Sequence, residues 1–288
     1  MSRLLFGCAG VPNSAQPKTS IAGIERVAEL GLGCMELEFV RGVHMGEKAA
    51  LEVRDMARRC KVALTAHAPY YVNLNAAEPA KIASSQQRIL QTARIAALCG
   101  AESMVFHAGF YLGDPPSAVY ETIKKNLIPV LEQLDKEGNM IWVRPEVTGK
   151  HTQFGDLEEV LRLSRELPRV APCIDFAHWH ARTLSYNSYG GFSSMLKRVA
   201  EAIGPESLSE VHVHVSGIHY SKVGELNHLN LKESDFHYDE LLRAMRDHRV
   251  GGMVICESPN LEEDALLLQK SYSLLSSEVR PPVPSREN

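Results

Sequence analysis

The stretch PCIDFAHWHAR, residues 172–182, places Asp175, His178 and His180 within six positions at the end of an apolar run. A carboxylate and two imidazoles so spaced could bind a metal, pass protons or simply hydrogen-bond at a strand's mouth. Similar groups close other apolar runs. His67 lies in LTAHAP, His107 in MVFHAG, Glu146 in VRPEVTG, His214 in VHVHVSG and Glu257 in VICESP. Imidazoles and carboxylates brought together repel one another and lose hydration unless a cation holds them, so the pattern points to divalent metal. The donors are nitrogen and oxygen with no cysteine, which suits zinc, with manganese and iron as alternatives. His67, His107, His178, His214, His228 in GELNHLNL and three carboxylates exceed the roughly four to six ligands of one ion. Two or three ions are expected. Ions about 3.5–4 Å apart serve in-line displacement at phosphorus, one activating water and another stabilising the leaving oxygen.

These residues meet only if the elements carrying them do. Strand-like runs fall near 3–8, 34–39, 62–67, 102–107, 140–146, 170–175, 210–216 and 252–257. Between them lie segments with helical spacing, such as IAGIERVAELG, ALEVRDMARRC and YDELLRAMRDH. Gly31, Gly100 and Gly138 stand where helices should stop, and Ser234, Asp235 and Asn260 where others could be capped. Strict alternation implies a parallel sheet covered by helices, and eight units close into an α/β (β/α)8 TIM barrel. With no linker in the chain, residues 1–278 read as a single catalytic domain and 279–288 as a short proline-rich tail. In such a barrel the carboxyl ends of the strands form the active mouth. From the third strand onward, all six end on a His, Asp or Glu. Period-two alternation turns His212 and His214 to one face, and the later residue is nearer the mouth. His214 is therefore the expected ligand and His212 a deeper support. His178 follows Asp175 at i+3, which suits a turn presenting both, with His180 in support.

Composition narrows the classes. A hydrophobic fraction of 44% and a charged fraction of 23% are ordinary for a globular protein. No apolar run reaches the length of about 18 residues that spans a bilayer, and MSRLLFGCAG is interrupted too soon for a signal peptide. A cytoplasmic location, no membrane partner and a monomer are expected. The six cysteines lack CxxC spacing and read as small buried hydrophobes. A net charge of -4 argues against binding polyanions over the whole surface but leaves room for a locally basic cleft.

The ordered motifs HAPYYVNL at 67–74, FHAG at 106–109, PEVTGKHTQFG at 145–155, CIDFAH at 173–178 and VICESP resemble those of the endonuclease IV family of apurinic/apyrimidinic endonucleases. That family lies within the xylose-isomerase-like barrel superfamily, and the resemblance runs along most of the chain. It implies that His67 and His107 hold one ion, that Glu146 bridges two, and that Asp175, His214 and Glu257 complete the pair. His178 and His228 would bind a third. The implied activity is cleavage of DNA at abasic or damaged sites, with Glu146 or Glu257 orienting the nucleophile. Tyr70, Tyr71 and Asn73 would approach the DNA, and Arg41, Lys150, Arg182 and Lys222 would be available for phosphates.

The chain departs from the family pattern at several points. Leu226 stands where the family has an aspartate two residues before the third-site histidine, and Glu225 is displaced by one. DFAH replaces DTCH, HVSG replaces a His-Leu-Asn-Asp run, and MELEFVRG adds Glu36 and Glu38 at the second strand. An inward carboxylate there would repel a phosphate backbone unless a metal or Arg41 held it. The alternative expectation is a sugar isomerase or epimerase, which needs one ion and paired carboxylates, here Glu146 and Glu257, to move a proton beside a carbonyl.

Overall fold

The computed structural model describes residues 3–277, so the tail expected at 279–288 lies outside the described residues. The strands are β1 (Leu4–Ala9), β2 (Cys34–Glu38), β3 (Ala63–His67), β4 (Ser103–Phe106), β5 (Trp142–Pro145), β6 (Cys173–Asp175), β7 (Val211–Val215), β8 (Gly217–Ser221), β9 (Gly224–Leu229) and β10 (Gly252–Cys256). Eight of them form one sheet in the order β5-β4-β3-β2-β1-β10-β7-β6, every pair parallel. Isolated parallel bridges Val143–Val170 and Glu146–Cys173 draw the last strand back to the first, giving a nearly closed TIM barrel.

Helices α1 (Ser20–Glu29), α2 (Glu47–Cys60), α3 (Pro79–Leu98), α4 (Pro116–Lys136), α5 (Leu157–Glu166), α6 (Phe176–Thr183), α7 (Tyr189–Ile203), α8 (Tyr238–Asp247) and α9 (Glu262–Ser277) accompany the strands. Their apolar stripes, such as Ile24 and Val27 on α1 and Leu241, Leu242 and Met245 on α8, are buried in one continuous core. Gly31, Gly100 and Gly138 leave α1, α3 and α4 at φ of 75°, 77° and 67°, the left-handed exit that a side chain would strain. Asp156 and Glu159 close the start of α5 with a capping box. Ser234 and Asp235 do not cap α8; its N-cap is His237, without a side-chain bond. Cys34, Met253 and Ile255 fill a smaller cluster of their own. Five of the six cysteines are buried, as their surroundings in the sequence suggest.

Two elements go beyond the sequence pattern. PCIDFAHWHAR runs from strand directly into α6, with no loop between. GIHYSKVGELNHL, which follows the strand-like run at 210–216, is an antiparallel hairpin of β8 and β9. In it Tyr220 pairs with Glu225 and His219 with Asn227, so Leu226 is the extra residue of a β-bulge. No described helix is long and apolar enough to cross a membrane.

Candidate metal centre

Strand register explains why the polar residues converge. Asp175 lies beside His214 across β6 and β7, and Glu38 beside His67 across β2 and β3. One step down each strand, Cys173 lies beside His212 and Glu36 beside Thr65. Because side chains at i and i+2 share a face, the inner wall carries two polar layers, one at the mouth and one beneath.

Glu146, buried just after β5, is the hub of the upper layer. Its Oε2 lies 3.2 Å from His67 Nε2 and 2.8 Å from His107 Nε2. Its Oε1 lies 3.1 Å from His178 Nδ1 and 3.5 Å from His214 Nδ1. His67 Nδ1, 2.7 Å from Ala68 O, donates to that carbonyl and so turns Nε2 toward Glu146. Asp175 caps α6: its Oδ1 accepts from His178 N at 2.6 Å, which fixes the imidazole one turn away and leaves Oδ2 facing inward. Glu257 Oε2 lies 3.4 Å from His214 Nδ1.

The donor atoms form three sets at this mouth, each lying within 4.8 Å of one another: His67, His107 and Glu146; Glu146, Asp175, His214 and Glu257; His178, Glu225 and His228. Glu146 Oε1, Asp175 Oδ2, His214 Nδ1 and Glu257 Oε2 are all buried without a hydrogen-bond partner. Orphaned groups of this kind are costly, and a divalent cation among them would satisfy all four, so this donor chemistry fits a metal ion.

Protons substitute for cations when the chain is metal-free. Burial opposes charge on His67, yet the hydrogen bond to Glu146 and the charge of Glu38 raise it to about 10. His178 and His214 are raised in the same way, against burial, by the carboxylates around them. Burial pushes Asp175 and Glu38 up to about 8, partly offset by neighbouring imidazoles. A metal ion must displace such protons, so apparent affinity should rise with pH across the neutral range, by about tenfold per unit for each proton displaced. Chelator competition between about pH 6 and 8 measures this, and a flat profile would remove these imidazoles from the ligand list.

The third set depends on the hairpin. The bulge at Leu226 shifts the alternation of β9 by one, so Glu225 and His228 share a face while Leu226 turns to solvent, 49% exposed. Glu225 Oε2 lies 3.5 Å from His178 Nε2, and His228 Nε2 lies 3.1 Å from the same atom. Glu225 N donates to Gly149 O, and a Cβ on Gly149 would come within 2.7 Å of Glu225 Cβ, so only glycine allows this approach. A carboxylate thus stands beside His178 and His228 from position 225 and not from 226.

The residues named for substrate contact divide. Tyr70, half-exposed, stands over His67 and His107 with ring centroids 5.3 and 5.5 Å away, and Tyr71 beside it is exposed. Arg41 and Lys222 are exposed in turns after β2 and between β8 and β9, and Lys150 is half-buried opposite Gly224. Asn73 is engaged within its own segment, its Oδ1 accepting from Asn75 N and its backbone N donating to Ser85 Oγ, so it shapes the loop. Arg182 is not available for phosphate. It is buried and donates to the carbonyls of Thr148, Lys150 and Gln153, bracing the loop after β5. His180 is buried against Tyr220 and Phe236, outside the three donor sets.

Glu36 and Glu225 enlarge the site beyond the ligand set expected from the sequence. Glu36 does point inward, but the groups within ion-pair distance of it among the described residues are His212 and His214, where a metal or Arg41 had been the expected holder. The alternation of MELE on β2 carried this signal. For Glu225 only the bulge reveals its direction.

Comparison with known proteins bears on the same geometry. An uncharacterized protein of Methanocaldococcus jannaschii is 44% identical over 273 residues, covering 94% of this chain and 98% of its own. A probable endonuclease 4 of Halorhodospira halophila is 27% identical over 203 residues, covering 67% of this chain and 68% of its own. Among solved structures, endonuclease IV from Thermus thermophilus matches with a TM-score of 0.75 at 20% identity, over 96% of this chain and 100% of that one. A D-tagatose 3-epimerase-like protein matches with a TM-score of 0.71 at 18% identity, over 95% and 100%. At such identities the structural likeness speaks for the fold alone, and a nuclease and an epimerase-like protein share it about equally. The model of one family, the xylose isomerase-like TIM barrel, matches residues 24–277, which takes in all the donors at the mouth, and the chain belongs to that family.

Proposed function

We propose that the chain is a metal-dependent phosphodiesterase that cuts DNA at abasic or damaged sites in the cytoplasm, working with two or three divalent ions, zinc first among them. The observation that carries this reading is the third donor set, His178, Glu225 and His228. Moving a proton beside a carbonyl needs one ion and a pair of carboxylates, whereas a phosphoryl group in displacement develops charge on several oxygens at once. Ions held by these residues would supply Lewis acidity toward those oxygens and a water of lowered pKa.

The chain's own groups do the rest. Glu146 holds four imidazoles in place, and Glu257, only partly buried at the mouth, is the carboxylate that can orient an entering nucleophile. Tyr70 and Tyr71 offer ring faces to nucleotides beside the cut, and Arg41, Lys150 and Lys222 lie where a phosphate backbone would pass. The deciding experiment incubates the zinc-loaded protein with a duplex carrying one abasic site and with the same duplex intact. Incision on the 5′ side of the abasic site alone is expected; an uncut duplex from protein holding two or three ions would end the nuclease reading.

The other reading, a sugar isomerase or epimerase, is favoured by the presence of Glu146 and Glu257 in one donor set, a pair of carboxylates that could move a proton beside the carbonyl of a bound sugar. One ion per chain and exchange of solvent deuterium into a ketose would select it.

A further inference from the structure

The far end of the barrel, where the strands begin, carries a buried charge that the metal centre does not use. Arg144 stands on β5 two residues before Glu146, so its side chain also turns inward, one step deeper. It is 7% exposed, and its guanidinium donates to two neutral carbonyls, Nη1 to Pro172 O at 2.9 Å and Nη2 to Glu210 O at 3.1 Å. Its Nε is buried without a hydrogen-bond partner, and no carboxylate among the described residues lies within ion-pair distance of it. Burial lowers its pKa to about 10, which leaves it a full cation at neutral pH. A buried cation without an opposite charge is disfavoured, and an anion brought to it would relieve that state.

A cavity of about 440 Å³ opens beside this guanidinium. Its walls come from the foot of β5, the approach to β6, α7 and the turn before β7, and they are mainly apolar, with Trp142, Leu167, Pro172, Val199 and Ile203 among them. Size and lining are those of a small-molecule site, in which a few polar groups orient a largely apolar ligand. Arg169, the other cation of the lining, is already engaged by Asp135 and by the carbonyls of Asn139 and Leu131. Glu206 and Glu210 line the cavity as well, both exposed, so a multiply charged anion is repelled where a single charge is drawn to Arg144. We propose that this cavity binds a small monocarboxylate with an apolar body, its carboxylate on Arg144 and its hydrocarbon against Trp142 and Ile203. Guanidinium and carboxylate match in planar geometry, so the unpartnered Nε–H gains an acceptor. The residues of this cavity belong to none of the donor sets at the mouth, and the site is independent of the substrate taken there.

Isothermal titration of the full chain with hexanoate, hexanol and inorganic phosphate tests the site. The binding counted is the part lost in Ile203→Trp, which fills the cavity from α7 and leaves Arg144 in place, so that a carboxylate held by ions at the mouth drops out. Hexanoate is expected to bind there once per chain. Its Kd should be lower by about tenfold or more than that of hexanol, which lacks the charge, and than that of phosphate, which brings a second charge and no apolar body. Arg144→Met keeps much of the volume without the charge, and it should weaken hexanoate by about tenfold or more while leaving hexanol as before. If that variant folds poorly, the comparison of hexanoate with hexanol on the wild type reads the same contribution of the guanidinium. No binding of hexanoate, binding that Ile203→Trp leaves intact, or equal affinity for hexanoate and hexanol would overturn the proposal. Phosphate bound at this cavity more tightly than hexanoate would overturn the ligand class.

Discussion

Glu146→Gln should yield a folded barrel with few ions and a kcat/KM on abasic duplex lower by on the order of 10³-fold or more, about 4 kcal/mol of transition-state stabilisation. The glutamine matches the glutamate in volume, so the buried site keeps its packing. What changes is charge and polarity. Glu146 belongs to two of the donor sets, its oxygens lying within 3.5 Å of His67, His107, His178 and His214. An amide removes the negative charge common to both sets and turns an N–H group toward imidazoles that need an acceptor or a cation. Mass spectrometry of metal content, with circular dichroism to confirm folding, separates lost ions from lost structure. An unchanged ion count would remove Glu146 from the centre.

Glu225→Ala should cost about 10²–10³-fold in turnover through loss of one ion, while Leu226→Asp should change neither turnover nor metal content. Position 226 is where the family's aspartate would stand, so resemblance alone favours the aspartate variant as a gain. The bulge reverses that expectation: Leu226 is the residue without a cross-strand partner, and a carboxylate there would face water. Glu225, one residue earlier and one methylene longer, reaches toward His178 instead. Counting ions per chain in the two variants decides the matter. A gain of metal in Leu226→Asp would mean that the hairpin takes another register in solution.

The barrel was legible because each repeat carries its own signal. Apolar runs of strand length, amphipathic segments between them and glycines in left-handed exits at 31, 100 and 138 all agree on one architecture. The centre was legible where a strand delivers its residue directly, since the end of an apolar run marks the end of the strand. His67, His107, Glu146, Asp175, His214 and Glu257 all fall there. Legibility failed where direction depends on pairing. A hairpin of thirteen residues has too little periodicity to declare itself, and a bulge inverts the facing of every residue beyond it. Arg182 misled for a related reason, as a guanidinium that stands on a helix near the mouth can be consumed by the carbonyls of a neighbouring loop.

The gap between β5 and β6 gives the centre a second consequence. Every other neighbouring pair of barrel strands is joined by a ladder, but here only the bridges Val143–Val170 and Glu146–Cys173 cross. Glu146 stands on one lip of that gap and Asp175 on the other, within a single donor set. An ion binding both would act as a clasp over the thinnest part of the wall, so the same atoms that handle the substrate would also hold the cylinder shut. Amide hydrogen exchange at Val143, Ala171 and Val147, whose N–H groups donate across the gap, should then slow when the ions are added, and slow more there than on the opposite wall.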